Sequence, residues 1–565
     1  MGVTATSGST PWWRGAVIYQ VYLRSFADGT GDGLGDIPGL RARLPYVAAL
    51  GVDAIWVAPW YPSPMADGGY DVSDHRAVDP RFGTLADAEA VISEAHALGL
   101  RVLLDVVPNH TSDRHPWFQA ALAAEPGSPQ RERYLFRPGR GRGGDEPPND
   151  WRSVFGSSAW TRVRGPDGRP DEWYLHLFAP EQPDLNWEHP EVPAEFERTL
   201  RFWFDLGVDG FRIDVAHSLI KQPGLPDLSG HRAGRLSTYD AAEVPTRRPG
   251  DHPHWDRDEV HEVYRYWRAI ADSYPEPRVF VAEAWVDQPD RLARYVRPDE
   301  LHTAFNFDFL VSPWLAPSLR RAIDRSLVEH VAVGAPATWV LSNHDTVRDV
   351  SRYAREQTER PAFSLAHLLG RPADLALGTR RARAAALLLL ALPGGAYVYQ
   401  GEELGLPEVE DLPTEVLADP EWERSGRTRR GRDGCRVPIP WEPGGPPYGF
   451  SPPGAEAPPW LPQPPSWDRL AVAVQAGDPG SMLELYRAAL RMRRAHPALG
   501  DGAMRWLEAP EDVLAFGREP GFACLVNLSP APVPLGPGER VLLASAPLGP
   551  DRAVPPDAAV WLDAR

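Results

Sequence analysis

The chain has 565 residues, 43% of them hydrophobic and 24% charged, a balance typical of a globular protein with a large core. Its 77 acidic and 59 basic residues give a net charge of −18, which disfavours nucleic-acid binding because the phosphate backbone is itself anionic. The one lysine, Lys221, has the sequence context of neither a Gly-rich phosphate loop nor an apolar burial site, which excludes P-loop nucleotide hydrolysis and lysine-dependent cofactor chemistry.

Short apolar runs rich in Val, Ile and aromatic residues alternate along the chain with stretches of helical period. The runs predict strands at 16–23, 52–59, 101–108, 209–215, 278–285, 303–309, 338–345 and 395–403. The helical stretches are 40–50, 85–98, 194–206, 260–274, 317–333 and 380–392. Eight strand–helix alternations predict an α/β fold, a (β/α)8 TIM barrel of parallel strands. An open doubly wound sheet is less favoured, because residues 24–28 after the first strand do not form a Gly-rich turn.

Two stretches interrupt this alternation. Residues 111–182 are dense in Pro, Gly, Arg and Trp without a helix of useful length, and residues 406–467 form a Pro-rich segment long enough to be functional. After a last amphipathic helix at 482–495, short alternating apolar runs predict a small antiparallel β-sandwich. The predicted domains are the catalytic barrel (1–110 and 183–496), an inserted domain B after the third strand (111–182) and a C-terminal β-domain (497–565).

The two cysteines, Cys435 and Cys524, are far apart in sequence, so no disulfide framework is expected and a reducing, cytoplasmic compartment is predicted. The amino terminus lacks a basic start followed by an apolar run, which predicts no secretory signal. The longest apolar run, 384–393, is too short to span a bilayer. We therefore expect no membrane and no nucleic-acid partner, and a monomer or homodimer.

Four of the predicted strands end in an acid: Asp105, Asp214, Glu283 and Asp345. Functional side chains of such barrels stand at the carboxyl ends of the strands. A single acid at a strand end is more often a cap or a salt-bridge partner than a catalyst. Four acids that converge on one mouth repel each other, however, which indicates an arrangement kept for chemistry rather than for stability.

These strand ends resemble glycoside hydrolase family 13, the α-amylase family. Asp-Val-Val-Pro-Asn-His (105–110), Gly-Phe-Arg-Ile-Asp (210–214), Glu-Ala-Trp (283–285) and Ser-Asn-His-Asp (342–345) have the order and spacing of that family. The resemblance covers residue 12 to about residue 497, and it implies the same division into barrel, inserted domain and β-domain. Gln-Pro-Asp-Leu-Asn (182–186) further resembles the oligo-1,6-glucosidase and α-glucosidase subgroup rather than the endo-acting amylases.

The resemblance implies a retaining double displacement. Asp214 would be the nucleophile, and Arg212, two residues earlier on the same face of the strand, would keep it ionised and oriented. Glu283 would be the general acid and then the general base, with a pKa raised by burial and nearby acids and with Trp285 contributing. Retention requires the two reacting carboxyl groups to stand about 5–5.5 Å apart.

Further residues would bind the sugar. Asp345 would hold the 2- and 3-hydroxyls of the glucose and help to distort its ring, and His110 and His344 would bind other hydroxyls. Tyr70, in Asp-Gly-Gly-Tyr (67–70), would stack under the ring. For each histidine the alternative is a buried structural residue.

Asp67 and Arg432 would together bind the 4- and 6-hydroxyl end of the glucose and close the pocket behind it. A closed end implies that one terminal glucose is held and that the action is exo. The alternative is an exposed ion pair without a role in binding.

A glycine-rich loop after the first strand places possible oxygen ligands at every second position, the pattern of a hard-cation site. It is similar to the calcium- or magnesium-binding loop of the same subgroup, and its implied ligand positions are Asp28, Thr30, Asp32, Leu34 and Asp36. Such a Ca²⁺ or Mg²⁺ ion would be structural, because the loop lies away from the four acids, and no cofactor is expected for catalysis. The alternative is a surface turn.

The expected function is that of an exo-acting retaining α-glucosidase that releases terminal glucose from short α-glucosides. Val215, directly after Asp214, resembles α-1,6-acting members, but α-1,4 and α-1,6 linkages both stay open. The same residues would serve an α-glucosyltransferase or an isomerase of the trehalose-synthase kind. A non-catalytic binding relative is the remote alternative, and the presence of Asp214, Glu283 and Asp345 argues against it.

Overall fold

The structure is a computed structural model that describes residues 11–165, 168, 170–228, 252–286, 288–360, 362–536 and 538–563. Its strands are β1 (Val17–Val21), β2 (Ala54–Val57), β3 (Arg101–Val106), β4 (Phe136–Arg137), β5 (Trp160–Arg164), β6 (Pro170–Leu175), β7 (Gly210–Ile213), β8 (Val279–Ala282), β9 (Thr303–Ala304), β10 (Thr338–Val340), β11 (Gly395–Tyr399), β12 (Arg505–Trp506), β13 (Val513–Arg518), β14 (Phe522–Asn527), β15 (Arg540–Ala544) and β16 (Ala558–Asp563). Its α-helices are α1 (Ile37–Leu50), α2 (Leu85–Ala97), α3 (Pro116–Ala123), α4 (Glu191–Asp205), α5 (Val260–Asp272), α6 (Pro289–Arg294), α7 (Phe307–Val311), α8 (Ala316–Ala332), α9 (Asp349–Tyr353), α10 (Leu365–Leu368), α11 (Leu375–Ala391), α12 (Pro420–Arg424), α13 (Val472–Gln475) and α14 (Met482–Ala495).

Eight parallel strands form a nearly closed barrel in the order β10-β11-β1-β2-β3-β7-β8-β9. Each pair of neighbours is hydrogen-bonded in parallel, for example Asp105 opposite Arg212 between β3 and β7. The strands are buried almost throughout, as expected for a parallel sheet with helices on its outer face. The predicted (β/α)8 barrel is confirmed, and all eight predicted strands contain an observed one.

The predicted helices are present, with some ends shifted where a capping residue sets the boundary. α1 begins at Ile37 rather than at residue 40, because the Asp36 side chain accepts a hydrogen bond from the Gly39 N–H at 2.6 Å. α11 begins at Leu375 rather than at residue 380, because Asp374 caps it through the Leu377 N–H at 3.0 Å. In both cases the capping carboxylate starts the helix several residues before the apolar period begins.

Two smaller sheets accompany the barrel. Residues 111–182 contain the antiparallel sheet β4-β6-β5 and also the eight-residue helix α3, where the sequence predicts no useful helix. The C-terminal strands form one antiparallel sheet, β12-β13-β14-β16-β15, which rests on α11 through a hydrogen bond from Trp561 Nε1 to the Leu387 carbonyl. The domain boundaries themselves stay a prediction.

Both cysteines are buried and free of disulfides. Among the described residues, every helix is too short or too polar to cross a lipid bilayer. Residues 1–10, where the sequence predicts no secretory signal, lie outside the described part of the chain.

Candidate active site

One arginine links three of the acids at the barrel mouth. Arg212 in β7 is buried, and its Nη1 donates to Asp105 at 2.6 Å and to Asp214 at 2.7 Å. Its Nη2 lies 2.9 Å from Glu283 Oε2. The alternation of side chains along a strand puts residues 212 and 214 on one face, and parallel pairing brings β3 and β8 alongside. Asp214 and Glu283 are therefore neighbours on one guanidinium.

Burial and mutual repulsion oppose ionisation of this pair of carboxyl groups. Burial raises the pKa of Asp214 well above its usual value, Arg212 opposes this rise, and the charge of Glu283 adds to it. Burial also raises the pKa of Glu283, and the charge of Asp345 adds to that rise. Two interacting groups of this kind titrate as a pair, and ionisation of both at once is disfavoured.

The pKa of Asp345 is shifted in the opposite direction to those of Asp214 and Glu283. Although burial opposes ionisation, His344, Arg432 and Arg436 hold the pKa of Asp345 below its usual range. Its Oδ1 accepts hydrogen bonds from Arg432 Nη1 and Arg436 Nη2, both at 2.9 Å. Asp345 is therefore an ionised acceptor, suited to hold sugar hydroxyls. The sequence motifs did not point to Arg436.

The two predicted histidines are neutral. Burial lowers the pKa of His110 to about 4 and that of His344 to about 3. The ring of His344 is stacked between Tyr22, at 5.8 Å, and Tyr70, at 5.3 Å. Because the Gln20 amide donates to His344 Nδ1 at 2.7 Å, we assign the ring hydrogen to Nε2, which lies 3.3 Å from Asp345 Oδ2.

The strand ends surround an open cavity of about 660 Å³. Seven predicted site residues line it: Asp67, Tyr70, His110, Asp214, Glu283, Asp345 and Arg432. The two others, Arg212 and His344, are buried beside the lining residues, where they orient Asp214 and Tyr70 rather than face the cavity. Sequence reasoning missed the apolar lining that residues 154, 155 and 178 contribute from the inserted segment.

Arg432 lines the cavity and joins three carboxylates there. Its guanidinium contacts three carboxylates, through Nη2 with Asp67 at 2.7 Å, Nη1 with Asp345 at 2.9 Å and Nε with Asp419 at 2.5 Å. Gln182 donates to the second oxygen of Asp67 at 3.2 Å. The predicted Asp67–Arg432 pair therefore exists and lines the cavity. Asp419, which is fully buried, was missed because it belongs to the Pro-rich segment and no motif marks it.

The structure corrects the sequence-based interpretation of Lys221. This side chain is buried, and its Nζ lies 2.7 Å from Asp184 Oδ2 and donates to Asn109 Oδ1 at 2.8 Å. The residues that surround Lys221 in the sequence did not predict a buried site. In the structure, the ion pair with Asp184 compensates for burial of the charge. Lys221 joins the loop after β7 to residues that precede His110 and follow the inserted segment.

The predicted cation loop is held by its own carboxylates. Asp28 accepts hydrogen bonds from the main-chain N–H groups of residues 30, 31 and 33, and Asp36 from those of residues 29, 30 and 39. Asp32 is exposed, and Thr30 and Leu34 add no carboxylate. No cluster of three or more acid, histidine or cysteine side chains able to hold a metal ion occurs within the described ranges, this loop included. The ion stays a prediction.

A neighbouring pair of buried carboxyl groups at the mouth of a barrel, beside an open cavity, defines a glycosidase-type site. The alpha amylase catalytic-domain family model matches residues 20–502. The chain is 40% identical to the "Probable alpha-glucosidase" of Rhizobium meliloti (strain 1021), over 92% of this chain and 89% of that protein. It is 34% identical to the oligo-1,6-glucosidase of Parageobacillus thermoglucosidasius, over 86% and 84% respectively.

A solved structure described as the alpha-glucosyl transfer enzyme XgtA superposes with a TM-score of 0.83 and 35% identity, covering 99% of this chain and 100% of that one. The chain therefore belongs to the α-amylase family, glycoside hydrolase family 13, and within it to the oligo-1,6-glucosidase and α-glucosidase subgroup. The resemblance drawn from the four strand-end motifs is confirmed.

Proposed function

We propose that the protein is an exo-acting α-glucosidase that releases terminal glucose from short α-glucosides with retention of configuration. The observation that carries this proposal is the single guanidinium of Arg212 in contact with both Asp214 and Glu283 beside the cavity. A double displacement needs two neighbouring carboxyl groups, one ionised and one protonated, and the buried surroundings of this pair disfavour ionisation of both at once. The names of the α-glucosidase and oligo-1,6-glucosidase relatives agree with it.

In the first step, Asp214 would attack the anomeric carbon while Glu283 gives its proton to the glycosidic oxygen and the aglycone leaves. In the second step, Glu283 would take a proton from water, whose oxygen then displaces Asp214 from the anomeric carbon. Asp345, which is ionised, would accept hydrogen bonds from sugar hydroxyls and stabilise the positive charge of the oxocarbenium-like transition state.

The ion pairs of Arg432 at the cavity support exo action. Arg432 joins Asp67 to Asp345 at the cavity, and these three side chains would block a glucan chain from continuing past the bound glucose. Asp67 and Arg432 keep polar atoms at the cavity, where they would bind the 4- and 6-hydroxyls. Tyr70, which also lines the cavity, would contact the sugar ring.

Transfer of glucose to another alcohol is the second candidate function. Val215 and Trp285 line the cavity next to Glu283, the group that would activate the acceptor. Apolar walls at this position favour an organic acceptor over water. The similarity to an alpha-glucosyl transfer enzyme agrees with this second candidate. An isomerase of the trehalose-synthase kind would carry out the same transfer within a single substrate molecule.

Product analysis tests the proposal. Maltose, isomaltose, sucrose, trehalose and longer glucans would be incubated with the enzyme, and sugars and the anomeric form of released glucose would be followed over time. We expect glucose as the first product, in the α form, from short α-glucosides, and the maltose-to-isomaltose ratio would give the linkage preference. Early oligosaccharide products from long glucans, or β-glucose, would contradict exo retention, whereas new disaccharides at high substrate would establish transfer.

We also propose a reducing, cytoplasmic location, supported by two buried thiols that lie in different parts of the fold. Cys435 lies in the segment after the eighth barrel strand, and Cys524 lies in β14 of the C-terminal sheet. Fractionation of the native host with an antibody against the protein would test this location. Recovery of the protein with secreted proteins would contradict it.

A further inference from the structure

Val215 has an unusual backbone conformation. Its φ is +47°, in the left-handed region, where a residue branched at Cβ is a genuine outlier. The side chain is 4% exposed and packs in the core around the barrel mouth. Strained backbone of this kind persists only where surrounding structure enforces it, and it concentrates at functional sites.

The left-handed turn at Val215, which follows β7, sets the relative directions of two successive N–H groups that both donate to Glu283. The Val215 N–H donates to Glu283 Oε2 at 2.9 Å. The adjacent N–H of Ala216 donates to the main-chain carbonyl of Glu283 at 2.9 Å, and the Glu283 N–H donates to Ile213 at 3.0 Å. Residues 213–216 thus hold both the backbone and the carboxyl group of Glu283, and only Val215 reaches the carboxyl group.

The two oxygens of Glu283 have different surroundings. Oε2 accepts the Val215 N–H and also lies 2.9 Å from Arg212 Nη2, a permanent cation. Oε1 receives the longer hydrogen bond from Trp285 Nε1, at 3.2 Å. In a carboxylic acid the carbonyl oxygen is the better acceptor and the other oxygen carries the hydrogen. Two donors at Oε2 therefore favour Oε1 as the oxygen that carries the proton.

We propose that Val215 is a positioning residue whose left-handed backbone lets two successive N–H groups, its own and that of Ala216, hold Glu283 with the Val215 N–H on Oε2, so that Oε1 is the atom that donates and accepts the catalytic proton. This inference rests on the proposed role of Glu283 as acid and base. In the first step the proton leaves Oε1 for the glycosidic oxygen as the C1–O bond breaks and the Asp214–C1 bond forms. In the second step water gives a proton to Oε1 while its oxygen replaces Asp214 at C1.

Other groups around Glu283 act on the carboxyl as a whole. The charged and titratable side chains near it are Arg212, Asp214, Asp105, Asp345 and His217. Burial and Asp345 raise the pKa of Glu283, and Arg212, the Val215 N–H and Trp285 lower it. Removal of the Val215 donor should therefore raise that pKa further, since the ionised form loses a hydrogen bond.

An amide-to-ester substitution isolates this contact. Incorporation of α-hydroxyisovalerate at position 215 replaces the N–H by an oxygen and keeps the isopropyl side chain. The basic limb of the pH profile of kcat/KM should move to higher pH, and kcat should fall about tenfold for maltose but change little for 4-nitrophenyl α-glucoside, whose leaving group needs no proton. The matched control is lactate at position 216, which removes the hydrogen bond to the Glu283 carbonyl but none to its carboxyl group.

An unshifted basic limb in the 215 ester, or an equal shift in the 216 ester, would overturn the inference. If the ester protein fails to fold, Val215→Gly keeps the N–H but releases the backbone, and its basic limb should also shift upward. Val215→Thr keeps the branched side chain, so its limb should stay in place, and a shift equal to that of Val215→Gly would overturn the inference. Wild-type enzyme without activity on any α-glucoside would contradict the proposed function instead, so the two failures are distinguishable.

Discussion

Asp419 offers a test of how Arg432 is held at the cavity. Its Oδ2 accepts hydrogen bonds from Arg432 Nε at 2.5 Å and from the Arg432 main-chain N–H at 3.2 Å. Its Oδ1 caps α12 through the Glu421 N–H at 2.9 Å. Both oxygens are thus acceptors, and the side chain does not line the cavity. Asp419→Asn keeps the size but turns one oxygen into an NH₂ group that must face a donor.

The expected magnitude comes from the contacts that are lost and those that remain. A hydrogen bond to a charged group contributes about 1.5–3 kcal/mol, and about 1.4 kcal/mol corresponds to a tenfold change in affinity. Arg432 keeps its contacts with Asp67 and Asp345, so only part of this energy is lost to glucose binding. We expect the inhibition constant for glucose and the KM for maltose to rise about tenfold, with kcat changed less than about threefold.

Initial rates with maltose, glucose inhibition and thermal unfolding would be measured together. The matched control is Asp209→Asn. Asp209 is also buried and paired with an arginine, Arg101 at 2.9 Å, but it lies at the amino end of β7, whereas the site lies at the carboxyl ends of the strands. The control should lower the melting temperature and leave glucose inhibition unchanged. If Asp419→Asn behaves as the control does, the reasoning that Asp419 acts through Arg432 is wrong.

Asp214→Asn or Glu283→Gln should each lower kcat by orders of magnitude and leave the fold intact by circular dichroism; wild-type turnover in either variant would remove the proposed roles. Burial raises the pKa of Glu408 to about 8, so the folded state binds more protons than the unfolded one and loses stability as pH rises from about 4.5 to 8. Glu408→Gln should therefore raise the melting temperature more at about pH 8 than at about pH 5, and equal shifts would refute this. Excess chelator should lower the melting temperature if the loop of Asp28 and Asp36 holds Ca²⁺ or Mg²⁺; an unchanged value would reject that site.

The barrel was predictable because its strands are buried on both faces and its helices repeat between them. A strand that is buried on both faces is apolar whichever strands it pairs with, and the helices between the strands keep a helical period. Both the apolar runs and the helical period can therefore be recognised in the sequence. The first residues of the helices were harder to predict from the sequence. The period of α1 and α11 begins several residues inside each helix, and the first turn depends on the single carboxylates of Asp36 and Asp374.

The site was predictable where a residue follows a strand and not where it depends on distant contacts. Asp214 and Glu283 could be placed because the carboxyl ends of parallel strands meet at one mouth. The role of Asp419 and the burial of Lys221 could not be predicted. Asp419 pairs with Arg432, 13 residues away, and Lys221 pairs with Asp184, 37 residues away, and these residues lie in loops whose path no periodicity describes. The conformation of Val215 is the least predictable feature, because a β-branched residue is normally evidence against a positive φ.

The charge arrangement at the barrel mouth opposes stability in a way that catalysis explains. Arg212 contributes one positive charge, yet it contacts Asp105, Asp214 and Glu283. Burial raises the pKa of Asp105 to about 6 and raises the pKa of the other two carboxyl groups, so the folded protein binds protons that the unfolded chain releases. Folding stability must then fall as pH rises toward neutrality, because proton binding by the folded state is lost there. A structural ion pair would need one acid for this arginine. Three acids around one arginine provide what acid–base chemistry requires, neighbouring carboxyl groups that resist being ionised all at once.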